Sequence, residues 1–173
     1  MPRFFRVIAD PKANDRWFLK SPVKFNGQQI DPRIFTIGAR FNGGEHLSLP
    51  LRREGNPVDF NFCDFDMVVT TKALNEAIEE IAVDLIQRVS IAVGDNSIEY
   101  EVLNVLDTVS CINEQLSEFI KWSPEDGAPD KVGHFRMITK LFIDPDKATG
   151  HKIFRIREWK APLIVEEEIK NLL

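Results

Sequence analysis

Apolar and polar residues alternate along several short stretches of this chain, which is the spacing of a half-buried β-strand. Residues 3–9 predict a first strand, and the stretches 88–93 and 98–102 predict a hairpin with one solvent-exposed face. Two later stretches, 134–143 and 152–158, lie on either side of a run of turn-forming residues. These two stretches predict a second hairpin.

Two other stretches have the spacing of a helix, in which residues three and four positions apart share a face. The first follows Thr70 or Thr71, either of which can accept a hydrogen bond from a free N–H of the first turn. Its apolar face carries Leu74, Ile78, Ile81, Ala82 and Leu85, and its opposite face is acidic. The second stretch, 165–173, predicts a short C-terminal helix.

The order of these elements favours an α+β fold, because the predicted strands pair locally and the helices are few. We predict a largely antiparallel sheet with one main amphipathic helix and a short C-terminal helix. Turn-forming residues interrupt every apolar run between positions 21 and 59, so we expect irregular structure there, with little regular hydrogen bonding. The length of 173 residues, without a repeat or a linker-like stretch, predicts a single domain spanning 1–173.

Composition argues against several classes of partner. Hydrophobic residues make up 43% of the chain, which is typical of a protein with an ordered core. The formal net charge of −5 lacks the basic footprint that nucleic-acid phosphates require. No apolar run approaches the roughly 20 residues of a membrane span, and arginines interrupt the apolar residues where a signal peptide would begin. With only Cys63 and Cys111, we expect a reducing compartment, the cytoplasm.

Sequence motifs of the common catalytic sites are absent from this chain. It has no nucleophile elbow, no phosphate-binding loop and no zincin motif. His46, His134 and His151 are scattered, whereas metal sites usually draw at least one pair of ligands from nearby positions. We therefore expect neither a metal ion nor a cofactor.

Two pairs of carboxylates could act as general acid and general base if their environments separated their pKa values. The pairs are Asp64 with Asp66, and Glu114 with Glu118. The simpler interpretation is that the two aspartates face water while Phe65 between them faces the core. The two glutamates would then lie on the solvated face of a helix.

An acidic segment with aromatic residues lies between positions 113 and 130, where five carboxylates accompany the single cation Lys121. Such a patch is a candidate protein-binding surface, because aromatic anchors supply affinity and surrounding charges set the association rate. The candidate contact residues are Glu114, Glu118, Trp122, Glu125, Asp126 and Asp130. In the alternative interpretation, Phe119 and Trp122 cover the core and the carboxylates are only solvated.

A set of short segments spread along almost the whole chain resembles a known family in order and spacing. The segments are Arg16-Trp17-Phe18-Leu19, Gly55-Asn56-Pro57-Val58-Asp59-Phe60, Tyr100-Glu101-Val102-Leu103-Asn104-Val105, Val109-Ser110-Cys111-Ile112-Asn113-Glu114, Ser117-Glu118-Phe119, Lys131-Val132-Gly133-His134-Phe135-Arg136, Leu141-Phe142-Ile143-Asp144-Pro145, Ile153-Phe154-Arg155 and Leu163-Ile164-Val165. They resemble the eleventh family of immunity proteins of bacterial polymorphic toxin systems. Family members often have aspartate where Asn113 stands.

The resemblance implies a protein that is made beside a secreted toxin and that binds and blocks this toxin in the producing cell, without catalysis. Shared residues such as Trp17, Phe60, Asn104 and Phe154 are interpreted as scaffold, because the surface that distinguishes one toxin from another must vary. The alternative from another class is an enzyme or a small-ligand protein. Its carboxylate site would be assembled in the fold from Asp64, Asp66, Glu114 or His134.

Overall fold

The computed structural model describes residues 2–10, 12–13, 15–44, 46–95 and 97–173. The strands are β1 (Phe4–Val7), β2 (Phe18–Leu19), β3 (Val23–Lys24), β4 (Leu47–Leu49), β5 (Leu51–Arg53), β6 (Phe60–Phe62), β7 (Val68–Thr71), β8 (Ile86–Val93), β9 (Tyr100–Val105), β10 (Thr108–Val109), β11 (Glu118–Lys121), β12 (Phe135–Lys140), β13 (Ile153–Ile156) and β14 (Trp159–Glu166). The helices are α1 (Lys72–Ile81), α2 (Pro145–Ala148) and α3 (Glu167–Lys170).

Two larger sheets and two short ribbons make up the β-structure. A six-stranded sheet has the order β3-β4-β8-β9-β7-β6, and a four-stranded sheet has the order β1-β14-β13-β10. The ribbons are β11-β12 and β2-β5. Among the described strands, only the pairs β4-β8 and β10-β13 are parallel. The predicted α+β class with a largely antiparallel sheet is therefore confirmed.

Both faces of β9 are covered, whereas the expected solvent-exposed face of the hairpin is present only on β8, at Ser90 and Ala92. Val102 of β9 packs into a cluster with Trp17 and Leu49, whereas Leu103 packs into another cluster with Ile78 of α1 and Leu163 of β14. Every residue of β9 is buried, even the polar ones. The alternation along β9 therefore separates two covered faces, because loops lie on one side and α1 with the second sheet on the other.

Several local predictions are confirmed by the observed elements. The first strand, the hairpin β8-β9, the main helix α1 and the short C-terminal helix α3 all form, although Asn96 of the hairpin loop lies outside the described residues. The two helices are shorter than predicted, because α1 ends at Ile81 and the start of the stretch 165–173 still belongs to β14. Thr71 occupies the N-cap of α1, but its hydroxyl makes no capping hydrogen bond. On the acidic face of the helix, Glu76 and Glu79 pair with Arg88 of β8.

The predicted second hairpin is wrong, although both of its strands exist. β12 pairs with β11, while β13 pairs with β14 and β10. Between them the chain forms α2 instead of a hairpin turn, since the Asp144 carboxylate caps the helix by accepting from the N–H of Asp146. Alternation identifies a strand but carries no information about its partner.

The expectation of irregular structure for residues 21–59 is also wrong in part. This segment contains β3, β4 and β5, and β4 lies inside the six-stranded sheet, parallel to β8. The strands have only two or three residues each, and turn-forming residues lie on both sides of them. Such short runs show no recognisable alternation, so the sequence pattern did not identify them.

Candidate functional site

The six predicted contact residues all belong to the ribbon β11-β12 and its flanking turns, here called the ribbon (residues 113–140). Glu114 lies in the turn before β11, and Glu118 is the first residue of this strand. Trp122, Glu125, Asp126 and Asp130 lie in the connection to β12, which contains short 3-10 turns at Pro124–Asp126 and Pro129–Lys131. The sequence suggested that Glu114 and Glu118 share one face of a helix. This expectation is wrong, because one lies in a turn and the other in a strand.

The inner face of the ribbon is part of the core. Phe119 and Phe135 meet edge to face with ring centroids 4.9 Å apart. Both residues, with Ile138, pack into the cluster that contains Phe154 and Ile156 of β13. The interpretation that Phe119 covers the core is confirmed, and the same packing fixes the position of the ribbon on the four-stranded sheet.

The outer face of the ribbon carries exposed apolar side chains that the sequence did not predict. Ile120 lies directly opposite Met137, and these residues are 51% and 46% exposed. Leu116, in the turn before β11, and Val132, in the connection before β12, are also exposed. The only signal in the sequence was the alternation within Glu118–Lys121, which was too short to separate a strand from a helix.

Charges on the ribbon largely compensate one another, which changes the predicted acidic patch. Residues 113–140 contain five carboxylates and four Lys or Arg side chains. Lys121 Nζ lies 2.8 Å from a Glu114 carboxylate oxygen, and Arg136 pairs with Asp126. The Nζ of Lys140 lies 3.9 Å from the Oε1 of Glu118. The acidic surplus seen in the sequence arose because Arg136 and Lys140 follow the acidic segment and fold back beside it.

The tip of the ribbon is ordered by a capping interaction and by stacking. Asp126 accepts hydrogen bonds from the backbone N–H of Ser123 at 2.8 Å and from its hydroxyl at 3.0 Å. These two hydrogen bonds hold the pKa of Asp126 below its ordinary value, and the bond from the backbone N–H has the larger effect. The Trp122 ring lies near both Lys131 and Arg136, whose charged groups are 5.2 and 5.0 Å from its centroid. Trp122 is therefore partly covered by cations.

Residues of the rival carboxylate site are not brought together. Asp64 accepts from Ser21 at 2.8 Å and pairs with Arg52, whereas Glu114 pairs with Lys121 on the ribbon. In the part of the chain that the structure describes, no hydrogen bond or ion pair joins Asp64 or Asp66 to Glu114 or His134.

Phe65 departs from the sequence-based interpretation, because it is 58% exposed instead of facing the core. Phe65 and Asp66 both have positive φ angles, 55° and 58°, in the turn between β6 and β7. Two left-handed residues in succession break the alternation of a strand, so the rule that placed Phe65 inside does not hold at this turn.

A surface groove lies away from all the predicted site residues. It has a volume of about 670 Å³ and lies between the end of β1, β6 and the N-terminal half of α1. Its walls are mostly apolar, with Ile8, Phe60, Leu74 and Leu172 among them. Over the described ranges, no three His, Cys, Asp or Glu side chains are grouped so that they could hold a metal ion.

One histidine pairs with a carboxylate. His151 Nδ1 lies 2.6 Å from Asp107 Oδ2. A nucleophilic triad would need a hydroxyl or thiol on the other ring nitrogen, and within the described residues no hydrogen bond joins His151 to such a group. Burial raises the pKa of both Cys63 and Cys111 to about 12, which suppresses the reactive thiolate form.

Comparison with known families supplies the deciding observation. The family model described as the immunity protein family Imm11 matches residues 8–173 of the chain. The chain belongs to this family. No curated protein shows significant similarity to it.

Membership of the Imm11 family indicates an immunity protein, and immunity proteins neutralise toxins. The same membership points to a non-catalytic role and to a toxin as the partner. Across the described residues of this family member, no helix is long and apolar enough to cross a membrane.

Proposed function

We propose that this protein binds one cognate toxin of a polymorphic toxin system in the cytoplasm of the producing cell and covers the active site of that toxin. The complex contains one copy of each protein, and no reaction is catalysed. The family match over residues 8–173 carries this proposal. The separate positions of Asp64, Asp66, Glu114 and His134 also support it, because a carboxylate-based active site would require them to converge.

The outer face of the ribbon is the proposed contact surface. Its centre is the exposed pair Ile120 and Met137. Glu118 begins the same strand β11, and Glu125 and Asp130 lie in the connection between β11 and β12. An apolar centre with a charged rim is the arrangement in which central side chains supply most of the binding energy. Glu114, Trp122 and Asp126 hold the rim in position through Lys121, Lys131 and Arg136.

A titration with the purified toxin domain encoded in the adjacent gene tests the proposed function. We expect a one-to-one complex with a nanomolar dissociation constant, and we expect co-expression to protect growing cells from the active toxin. The absence of both binding and protection would overturn the proposal. Protection without a stable complex would replace occlusion with a catalytic mechanism.

Two paired variants test the proposed surface. Ile120→Ser with Met137→Ser removes the apolar centre, so we expect affinity to fall about tenfold or more, mainly through faster dissociation. Glu118→Lys with Asp130→Lys reverses two rim charges, so we expect slower association and an altered salt dependence. Asp126 is left intact because it caps the turn at the tip.

The matched control for both variants is Val83→Ser, since Val83 is also an exposed apolar residue but lies just beyond the end of α1. Its affinity and association rate should equal those of the wild type. If the ribbon variants bind as tightly and as fast as this control, the ribbon is not the contact surface.

A further inference from the structure

An aromatic side chain is presented to solvent at the turn between β6 and β7, on a backbone conformation that phenylalanine rarely adopts. Phe65 and Asp66 have φ angles of 55° and 58°. Glycine, asparagine and aspartate accept this left-handed region readily, whereas a bulky side chain is strained there. Phe65 is nevertheless 58% exposed, so the burial of its ring contributes little to the core.

Polar contacts on both sides of Phe65 hold the turn. The N–H of Cys63 donates to the carbonyl of Met67 at 2.8 Å, which closes the turn. Asp64 accepts from the Ser21 hydroxyl at 2.8 Å and pairs with Arg52. These contacts fix the backbone on which the exposed ring is mounted.

Arg155 holds the turn from the other sheet. This residue of β13 is fully buried, and its guanidinium donates to the carbonyl of Asp66 at 2.7 Å. The same guanidinium donates to the carbonyls of Lys160 and Ala161 at 2.9 and 3.0 Å. Burial of a guanidinium costs hydration free energy. The fold therefore accepts this loss at the residue that holds the strained turn.

The surroundings of the ring are polar, and their charges are paired. The guanidinium of Arg33 lies over the Phe65 ring, 4.7 Å from the ring centroid. The Nε of Arg33 lies 2.9 Å from the Oδ1 of Asp31. The adjacent Asp64 is paired with Arg52. Ion pairs with balanced charges therefore surround the ring. Such a surface fits a partner with an apolar pocket and a polar border better than a partner with a strongly charged surface.

We propose that Phe65 is an anchor residue that inserts into an apolar pocket of the cognate toxin, as a further contact in addition to the ribbon. Strain that persists at an exposed position is typical of functional sites, where the surrounding structure enforces it. A ring that is already held in its binding position loses little conformational freedom on association. This inference rests on the proposed function, because it names a further contact of the same toxin.

The variant Phe65→Asn separates strain from binding, because asparagine tolerates the left-handed conformation. We expect its urea midpoint to equal or exceed that of the wild type, while its affinity for the purified toxin domain of the adjacent gene falls at least about tenfold. Phe65→Tyr keeps an aromatic ring and should bind nearly as tightly as the wild type. Phe25→Asn is the control, since Phe25 is 95% exposed at another turn and should be silent in binding.

The outcomes distinguish this inference from the proposed function. If the wild type does not bind the toxin domain, the proposed function fails and the anchor fails with it. If the wild type binds and Phe65→Asn binds equally well, the anchor alone is overturned. A Phe65→Asn protein that unfolds at lower urea than Phe25→Asn would show that the ring supports the fold, which also overturns the anchor.

Discussion

At Arg155 a fully buried guanidinium connects the two larger sheets. Burial lowers its pKa to about 10, and the nearby Asp66 opposes this shift, so the group remains charged at neutral pH. Three backbone carbonyls accept hydrogen bonds from it, while none of the described residues accepts from its buried Nε. The three bonds are what offset the loss of hydration of this charge.

Replacement of this residue by Arg155→Met should destabilise the fold strongly, because three backbone carbonyls would each lose a donor. We expect the free energy of unfolding to fall by about 3–5 kcal/mol, as measured by urea denaturation at pH 7. Arg157→Met is the control, since the exposed Arg157 makes one hydrogen bond of 3.1 Å to the carbonyl of Thr108. The control should change stability by less than about 1 kcal/mol. Equal effects would refute the role of Arg155.

At the level of elements, the capping turn at the ribbon tip should depend on pH. Hydrogen bonds from Ser123 depress the pKa of Asp126 in the folded state. A depressed pKa stabilises the turn above the unfolded-state value, and this stabilisation is lost as the pH falls through the folded-state pKa. The order of the turn should therefore decrease under acid conditions while the core is still folded.

An NMR titration of the Asp126 carboxyl group measures this effect. We expect an apparent pKa below the ordinary aspartate value of about 3.9. Ser123→Ala removes the hydroxyl donor but keeps the backbone donor, so the pKa should rise only part of the way. An Asp126 that titrates at the ordinary value in the wild type would contradict the capping geometry.

For the whole molecule, the two cysteines report on cooperativity. Cys63 belongs to the cluster with Trp17 and Leu49, and Cys111 belongs to the cluster under the ribbon. Burial raises the pKa of each thiol to about 12. Neither thiol should react until the surrounding cluster opens, because the thiolate is the reactive form.

Thiol labelling with iodoacetamide across a urea series tests the predicted single domain of residues 1–173. If the chain unfolds cooperatively, Cys63 and Cys111 should become labelled over the same range of urea, as followed by peptide mass spectrometry. Labelling of Cys111 at clearly lower urea than Cys63 would reveal two units and refute the prediction. Cys63→Ala and Cys111→Ala identify each labelling phase.

Elements that depend on short-range spacing could be predicted from the sequence. The strand β1, the helix α1 and the hairpin β8-β9 each follow from side chains two to four positions apart, and so does the α+β class. The family resemblance, noted from the order of short segments, is confirmed by the match over residues 8–173. The ribbon was marked as a candidate surface from its composition alone, and its contact role stays a prediction.

Long-range contacts decided the features that the pattern could not contain. β12 pairs with β11 and not with β13, and covering layers bury both faces of β9. The contact between Arg155 and the carbonyl of Asp66 joins positions 89 residues apart, and this contact helps to hold Phe65 outside the core. Periodicity describes which face a side chain takes relative to its neighbours in sequence. The choice of strand partner, the covering of a face and the orientation of a turn arise only when distant segments compete for the same surface.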